Sequence, residues 1–369
     1  MKFSMKAGEL QTILEDLTNI ALTKIGQRQI MNHIKIDVRD DVIFLIATNM
    51  EMSMIAEIKV KSSRLGLCTV PAKSFADLIS TFPADKKVTI SMTDDSRIRV
   101  TQSRSRFNLT GANPHQFPDV YMPKDGYMPF DSKGFSEALK KVSPSMAEKK
   151  AVRPNLSVIL MEPAETDGFM RAIASDGFTL TTYKIPGVLK ESFVISDDSV
   201  DVLKKILKKV DEVGLIVDLA KHSLYLNMKQ GFLSIKLPQN KFPKYKSLLP
   251  RGSYLNVILN REDILTLMKR MLLFSESNFG TVDLSICSKE KTVTFTSRSP
   301  NGNAEDIIPA EPSSEITKDM KIRFGGKMFS RSFTNFTGKT ISLRLYGEHI
   351  AAVLLDGTNM MGILMPLRG

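Results

Sequence analysis

Two cysteines among 369 residues, Cys68 and Cys287, are too few for a disulfide framework or a metal cage. Histidine is scarce as well. His33, His115, His222 and His349 form no i, i+4 pair and have no neighbouring cysteine, which argues against a zinc site and leaves them as core or surface residues. No span approaches the apolar run needed to cross a bilayer, and the N-terminus lacks the basic flank and apolar stretch of a signal peptide. The expected location is therefore the cytoplasm, with no membrane partner, and the sequons at Asn108, Asn155 and Asn335 then carry no meaning.

Catalytic motifs are missing too. Thr337-Gly338-Lys339-Thr340 resembles the end of a phosphate loop, but Phe333 occupies the position where the cradle needs glycine. No G-x-S-x-G elbow appears, and no G-x-G-x-x-G follows a strand to open a helix. Asp176-Gly177 reads most simply as a turn, since both residues tolerate the backbone of a tight reversal. An enzyme using carboxylates near Asp176 would need a second acid, a base or a metal ligand in recognisable spacing, and none accompanies it. We expect no catalytic residues, no metal and no cofactor.

What the chain does have is an internal repeat. A short alternating strand opening an amphipathic helix begins at Met1, again near Met128 and again near Tyr254. A second helical segment follows in each copy, at 70–79, 195–210 and 322–333. An acidic or amide turn after a buried strand recurs at 47–54, 174–183 and 354–365, and the first two copies end alike, in FPDV (117–120) and FPKYKSLLP (242–250). Copies of this length are domains rather than solenoid units. The reading is three tandem domains, 1–125, 126–250 and 251–369, of an α+β class. Hydrophobic residues at 42% supply enough apolar side chain for three cores.

The net charge of +11 favours a polyanionic partner, and it is spread as +3, +5 and +3 over the three copies. Helical projection places part of it. Val202, Leu203, Ile206, Leu207 and Val210 fall on one side of a helix whose other side carries Lys204, Lys205, Lys208 and Lys209. A helix near 133–142 buries Phe135, Ala138, Leu139 and Val142 and turns Lys133, Lys140 and Lys141 outward. In the third copy Ile264, Leu265, Leu267, Met268, Met271 and Leu272 pack inward, leaving Lys269 and Arg270 outside. The first helix is the exception, with Glu9, Glu15 and Asp16 on its exposed side. Lysine faces without aromatic stacking residues suit contact with duplex phosphates rather than base reading.

MKF at the start, TNMEMSM (48–54), TVPAKSF (69–75), SRSRFNL (103–109), FP (117–118), ASDGFTL (174–180), FPKYKSLLP (242–250) and the terminal MPLR together resemble the bacterial DNA polymerase III beta subunit, the sliding clamp. The resemblance runs in order along the whole chain. It implies three domains of one topology, two helices packed on antiparallel sheet in each, and two chains closing head to tail as a dimeric ring around double-stranded DNA. It also implies a non-catalytic processivity factor whose partners are a clamp loader complex, the DNA polymerase III alpha subunit and other DNA polymerases, ligase and mismatch-repair proteins. A basic nucleic-acid-binding protein that forms no ring is the alternative.

Carried over residue by residue, the resemblance implies three sites. A hydrophobic partner-peptide pocket would comprise Leu156, Ser175, Gly177, Leu180, Pro243, Leu248, Ile363, Met365, Pro366 and Leu367, with Arg153 and Arg368 at its rim. The dimer interface would set Phe107 and Leu109, flanked by Arg104 and Arg106, against Leu273 and Phe274, with Glu305 and Asp306 as ion partners. Arg28 would join Lys140, Lys141, Lys204, Lys205, Lys208, Lys209, Lys269 and Arg270 in facing DNA. The chain departs from the family pattern at Pro154 and Asn155 after Arg153, at Phe178, at Ser247 and at the terminal Gly369.

Overall fold

The computed structural model describes residues 1–22, 29–59, 64–93, 97–148, 154–211, 213–275 and 280–367. Arg28, Arg153 and Arg368 lie outside the described residues.

One order of elements runs three times along the chain. The first pass is β1 (Lys2–Lys6), α1 (Ala7–Ala21), β2 (His33–Arg39), β3 (Val42–Thr48), β4 (Met52–Lys59), β5 (Gly66–Pro71), α2 (Ala72–Ser80), β6 (Lys87–Met92), β7 (Arg97–Gln102) and β8 (Ser105–Thr110). The second is β9 (Met128–Phe130), α3 (Ser132–Val142), β10 (Val158–Pro163), β11 (Phe169–Ser175), β12 (Thr179–Pro186), β13 (Phe193–Ser196), α4 (Asp197–Leu207), β14 (Val213–Asp218), β15 (Ser223–Met228) and β16 (Gly231–Lys236). The third is β17 (Leu255–Asn260), α5 (Arg261–Met271), β18 (Thr281–Cys287), β19 (Thr292–Ser299), β20 (Gly302–Pro309), β21 (Met320–Gly325), α6 (Gly326–Asn335), β22 (Thr340–Leu345), β23 (Ala352–Leu355) and β24 (Met360–Leu364). Short 3-10 turns fill several connections.

The strands alternate as a sheet with one covered face requires. In β1 Phe3 and Met5 are buried between exposed Lys2, Ser4 and Lys6. The helices bury a stripe at helical spacing, such as Leu10, Leu14 and Leu17 in α1, or Ala72, Phe75 and Ile79 in α2. Helix α5 opens on Asn260, whose Oδ1 accepts from Glu262 N at 2.9 Å, and it places Glu262 and Asp263 in its first turn with Lys269 and Arg270 in its last. Both arrangements favour the helix, by satisfying end donors and by complementing its dipole.

All strand pairings are antiparallel. The chain divides into two compact units, Met1–Ser136 with Asp198–Pro238, and Glu137–Asp197 with Gln239–Gly369. The first holds an eight-stranded sheet in the order β5-β2-β3-β4-β16-β15-β14-β9 and a four-stranded sheet β1-β6-β7-β8. The second holds β13-β10-β11-β12-β24-β23-β22-β17 and β20-β19-β18-β21. Each eight-stranded sheet thus joins strands of consecutive passes through one ladder, β4 to β16 or β12 to β24.

Three details differ from the sequence reading. The second helices begin later, at Ala72, Asp197 and Gly326, because Val70, Ile195, Ile322 and Phe324 are inward residues of β5, β13 and β21 paired in ladders. The turn at 356–359 joins β23 to β24 and is not the counterpart of the turns before β4 and β12. That counterpart is the tight reversal Ser299 to Gly302 between β19 and β20. Asp16 does not face solvent. It is 8% exposed and paired with Lys209 Nζ at 2.9 Å, and burial raises its pKa above the ordinary carboxylate value despite that partner.

Candidate functional site

A cleft of about 140 Å³ opens where β12 meets β24. Leu180 and Ile363 are direct cross-strand partners on its floor, and the chain beyond β24 continues the ladder through Met365 N to Phe178 O at 2.9 Å. Leu156, Ser175, Gly177, Pro243, Leu248 and Met365 complete it, so eight of the expected pocket residues line one cavity. Phe178, Thr179, Phe242 and Tyr245 line it as well. The Phe-Pro dipeptide shared by 117–118 and 242–243 was the sequence signal for Phe242. Leu248 is 56% exposed and Phe178 44%, which leaves apolar surface open at the mouth. Pro366 is half-buried, while Leu367 turns away. Its N–H donates to Arg323 O at 2.8 Å, and its side chain borders a separate polar cleft with Arg298, Arg323 and His349.

Both walls are held by polar contacts. The turn after β11 is closed by Ser175 Oγ donating to Thr179 O at 2.7 Å, and by Asp176 Oδ1 accepting from Phe178 N at 2.9 Å and Thr179 N at 2.7 Å. Gly177 sits there at φ +91, a region where a side chain would be strained. The other oxygen of Asp176 accepts from Arg331 of α6. On the facing wall the Tyr245 hydroxyl donates to Glu162 Oε1 at 2.6 Å. Burial, with the Glu162 carboxylate beside it, pushes the Tyr245 phenol well above its ordinary pKa. Arg171 bridges to Glu165 and holds that carboxyl down to about 2.

The corresponding place in the first unit is built on the same plan with different side chains. Lys236 N donates to Glu51 O at 2.7 Å as Met365 N does to Phe178 O, but the cross-strand pair is Ser53 with Ser234 in place of Leu180 with Ile363. Two hydroxyls replace two branched apolar side chains, so that surface offers no apolar floor.

The two four-stranded sheets each end in an open edge, β8 in one and β20 in the other. Phe107 on β8 is 40% exposed, with its ring 5.9 Å from that of Phe82, and is therefore no core residue of its strand. Leu109 is half-buried, and Arg104 and Arg106 are exposed. In the third pass Leu273 is 78% exposed and Phe274 36%, in the 3-10 turn that follows α5, with Ile307 of β20 at 54%. Glu305 is exposed, and Asp306 is paired with Arg270. An apolar patch beside an unpaired edge is a surface that another strand can cover.

Residues 1–122 match the profile described as the DNA polymerase III beta subunit, N-terminal domain. The chain is 23% identical over 335 residues to the beta sliding clamp of Proteus mirabilis, covering 88% of this chain and 87% of that one. It is 21% identical over 375 residues to the beta sliding clamp of Chlamydia pneumoniae, covering 100% and 99%. Its fold matches the crystal structure of the DNA polymerase III subunit beta from Pseudomonas aeruginosa with a TM-score of 0.90 at 19% identity over 100% of both chains. The sliding clamp from Bacillus subtilis matches equally at 0.90. In sequence along its whole length, and in fold, the chain is thus similar to bacterial beta sliding clamps.

Within that clamp fold the basic residues expected on the helices divide into two groups. Lys140, Lys208 and Lys269 are exposed and make no ion pair with a described residue. The others are engaged inside the chain. Lys204 pairs with Asp201 at 3.0 Å, Lys209 with Glu15 at 2.8 Å as well as Asp16, and Arg270 with Asp306. Lys205 donates to Asn19 Oδ1 at 3.2 Å, and Lys141 to Asn335 O at 3.3 Å and to Thr337 Oγ1 at 3.4 Å. The apolar faces behind them are buried as expected, apart from Val210, Leu265 and Leu272, which are half-buried. Among the described residues no cluster of three His, Cys, Asp or Glu could hold a metal, and no helix is long and apolar enough to cross a membrane.

Proposed function

We propose that two copies of this chain close head to tail into a ring that encircles double-stranded DNA, and that the β12–β24 cleft tethers the replicative polymerase to it. The observation that carries this reading is the pairing rule between passes. The fourth strand of the first pass, β4, pairs with the eighth of the second, β16. The fourth of the second, β12, pairs with the eighth of the third, β24. The fourth of the third, β20, and the eighth of the first, β8, each lie at a sheet edge without such a partner among the described residues. Applying the rule once more joins β20 to β8 of a second copy. That contact is heterologous, and applied twice it closes.

The rule also supplies the register. The ladders pair Met54 with Leu233 and Thr181 with Gly362. The hairpins before β4, β12 and β20 pair Ala47 with Met54, Ala174 with Thr181 and Ser297 with Ala304, which makes Met54, Thr181 and Ala304 equivalent. Those before β8, β16 and β24 pair Val100 with Phe107, Leu226 with Leu233 and Leu354 with Gly362, which makes Phe107, Leu233 and Gly362 equivalent. Phe107 then faces the partner subunit's Ala304, and Arg106 faces the partner subunit's Glu305. An opposite-charge cross-strand pair falls out of a register in which charge played no part.

The chain acts without catalysis, as a processivity subunit of DNA polymerase III. Its domains are 1–125, 126–250 and 251–369. The helix lysines contact phosphates without reading bases, which permits sliding. The cleft takes an extended peptide bearing apolar anchors, as the exposed Phe178 and Leu248 at its mouth favour. A clamp loader opens the ring in the cytoplasm, and other polymerases, ligase and mismatch-repair proteins share the cleft. The test is a Phe107→Cys, Ala304→Cys protein under mild oxidation. Facing residues of an antiparallel ladder lie within disulfide reach, so a covalent dimer is expected. The shifted pair Phe107→Cys, Ile307→Cys should stay monomeric on a denaturing gel. Equal cross-linking of both pairs, or of neither, would sink the register.

A further inference from the structure

The turns before β4 and β12 are the same device built twice, and one of them has an addition. Asn49 Oδ1 accepts from Glu51 N at 3.0 Å and Met52 N at 2.7 Å, and Asp176 Oδ1 accepts from Phe178 N at 2.9 Å and Thr179 N at 2.7 Å. Thr48 Oγ1 accepts from Met50 N at 3.1 Å, as Ser175 Oγ does from Gly177 N at 3.1 Å. The backbone turn therefore needs only an amide or carboxylate oxygen, and a neutral asparagine suffices in the first unit, where its Nδ2 has no hydrogen-bond partner. The second turn carries a carboxylate instead. Its remaining oxygen accepts from Arg331, whose Nη2 also donates to Thr179 Oγ1 at 3.3 Å. Arg331 is the sixth residue of α6, and the sixth residue of α4 is Val202, which can make no such contact. The ion pair is present only at the turn whose Gly177, Phe178 and Thr179 wall an apolar cleft.

We propose that Arg331 is a positioning residue for the partner-peptide cleft, acting through Asp176 to fix the 176–179 wall against α6. This rests on the reading of the cleft as the peptide site. The pair is well placed to hold one geometry. The Asp176 side chain is 13% exposed and that of Arg331 40%, and with both carboxylate oxygens bonded the turn is tied to two elements rather than one. A buried charged group that loses its partner is costly, so the wall should rearrange when the arginine is removed. An asparagine would leave no charge to compensate, as Asn49 demonstrates.

The test compares wild type, Arg331→Met, and Arg331→Met with Asp176→Asn, as intact dimers. Each is titrated with a fluorescein-labelled synthetic peptide carrying adjacent Leu and Phe anchors. Arg331→Met should weaken the peptide about tenfold, the scale of one lost partly buried charge-assisted contact, and the added Asp176→Asn should restore most of it. A general structural role would not give that rescue. In parallel, 4-fluorophenylalanine at Phe178 reads the wall with no peptide present. One 19F resonance in wild type, broadening or splitting in Arg331→Met, and one resonance again in the double variant are expected. Unchanged affinity and spectrum in Arg331→Met overturn the proposal, and so does a loss that Asp176→Asn fails to rescue, since Arg331 would then act directly on the peptide. Binding that persists in Leu248→Asp would instead displace the peptide from the cleft, and the fluorine arm would still decide the role of Arg331.

Discussion

Replacing Leu273 and Phe274 by aspartate should separate the ring into single chains. In the chain alone these side chains are 78% and 36% exposed, so closure has apolar area left to cover. A leucine or phenylalanine taken fully from water contributes roughly 1.5–3 kcal/mol, which scaled by those fractions gives about 2–3 kcal/mol for the two together. A ring closes through two identical interfaces, so the dimer loses about 5 kcal/mol, or between three and four decades in its dissociation constant. Carboxylates forced against the partner's Phe107 would add desolvation to that loss. Sedimentation velocity across a concentration series is the assay, with circular dichroism confirming that α5 survives, since the core residues Ile264, Leu267, Met268 and Met271 are untouched. Phe107→Asp, on the opposite sheet edge, should reproduce the loss from the other side. A dimer undiminished in both variants would refute the placement of the interface.

Leu180→Ser with Ile363→Ser converts the cleft floor to the Ser53–Ser234 arrangement of the first unit, and peptide binding should fall below detection by fluorescence anisotropy while the dimer stays intact. Tyr245→Phe leaves the Glu162 carboxylate without its 2.6 Å donor and should lower stability by about 1–3 kcal/mol in urea unfolding. Because the paired lysines are already neutralised, Lys140→Ala and Lys208→Ala should each reduce the salt slope of DNA binding by about one unit, whereas Lys209→Ala should cost stability through Glu15 and Asp16 and change that slope less.

The threefold repeat was legible because helical period survives in each copy independently of what the helix touches. Leu10, Leu14 and Leu17 announce a buried face, as do Val202, Leu203 and Ile206. Boundaries were less legible, since Ile322 and Phe324 fit a helix stripe and a strand alternation equally until β18 is seen beside them. The matching of turns failed at 356–359 for a related reason. An Asp-Gly turn after apolar residues looks the same before β24 as before β12, and only the pairing partner tells them apart. Which strands are open edges is a property of sheet order, so nothing local in 105–110 or 302–309 reveals it. Arg331 was invisible beside Asp176 because 155 residues separate them. Asp16 was misplaced because projection shows one helix at a time, and the Lys209 that covers it lies in the turn just beyond the end of α4.

Encirclement is tested most directly by loading the protein on nicked circular DNA with its cognate loader and ATP, at salt high enough to suppress phosphate contacts, and then cutting the circle. A closed ring predicts retention on the circle and release once an end exists. Equal loss from circular and linear DNA would contradict it and leave an open basic binder.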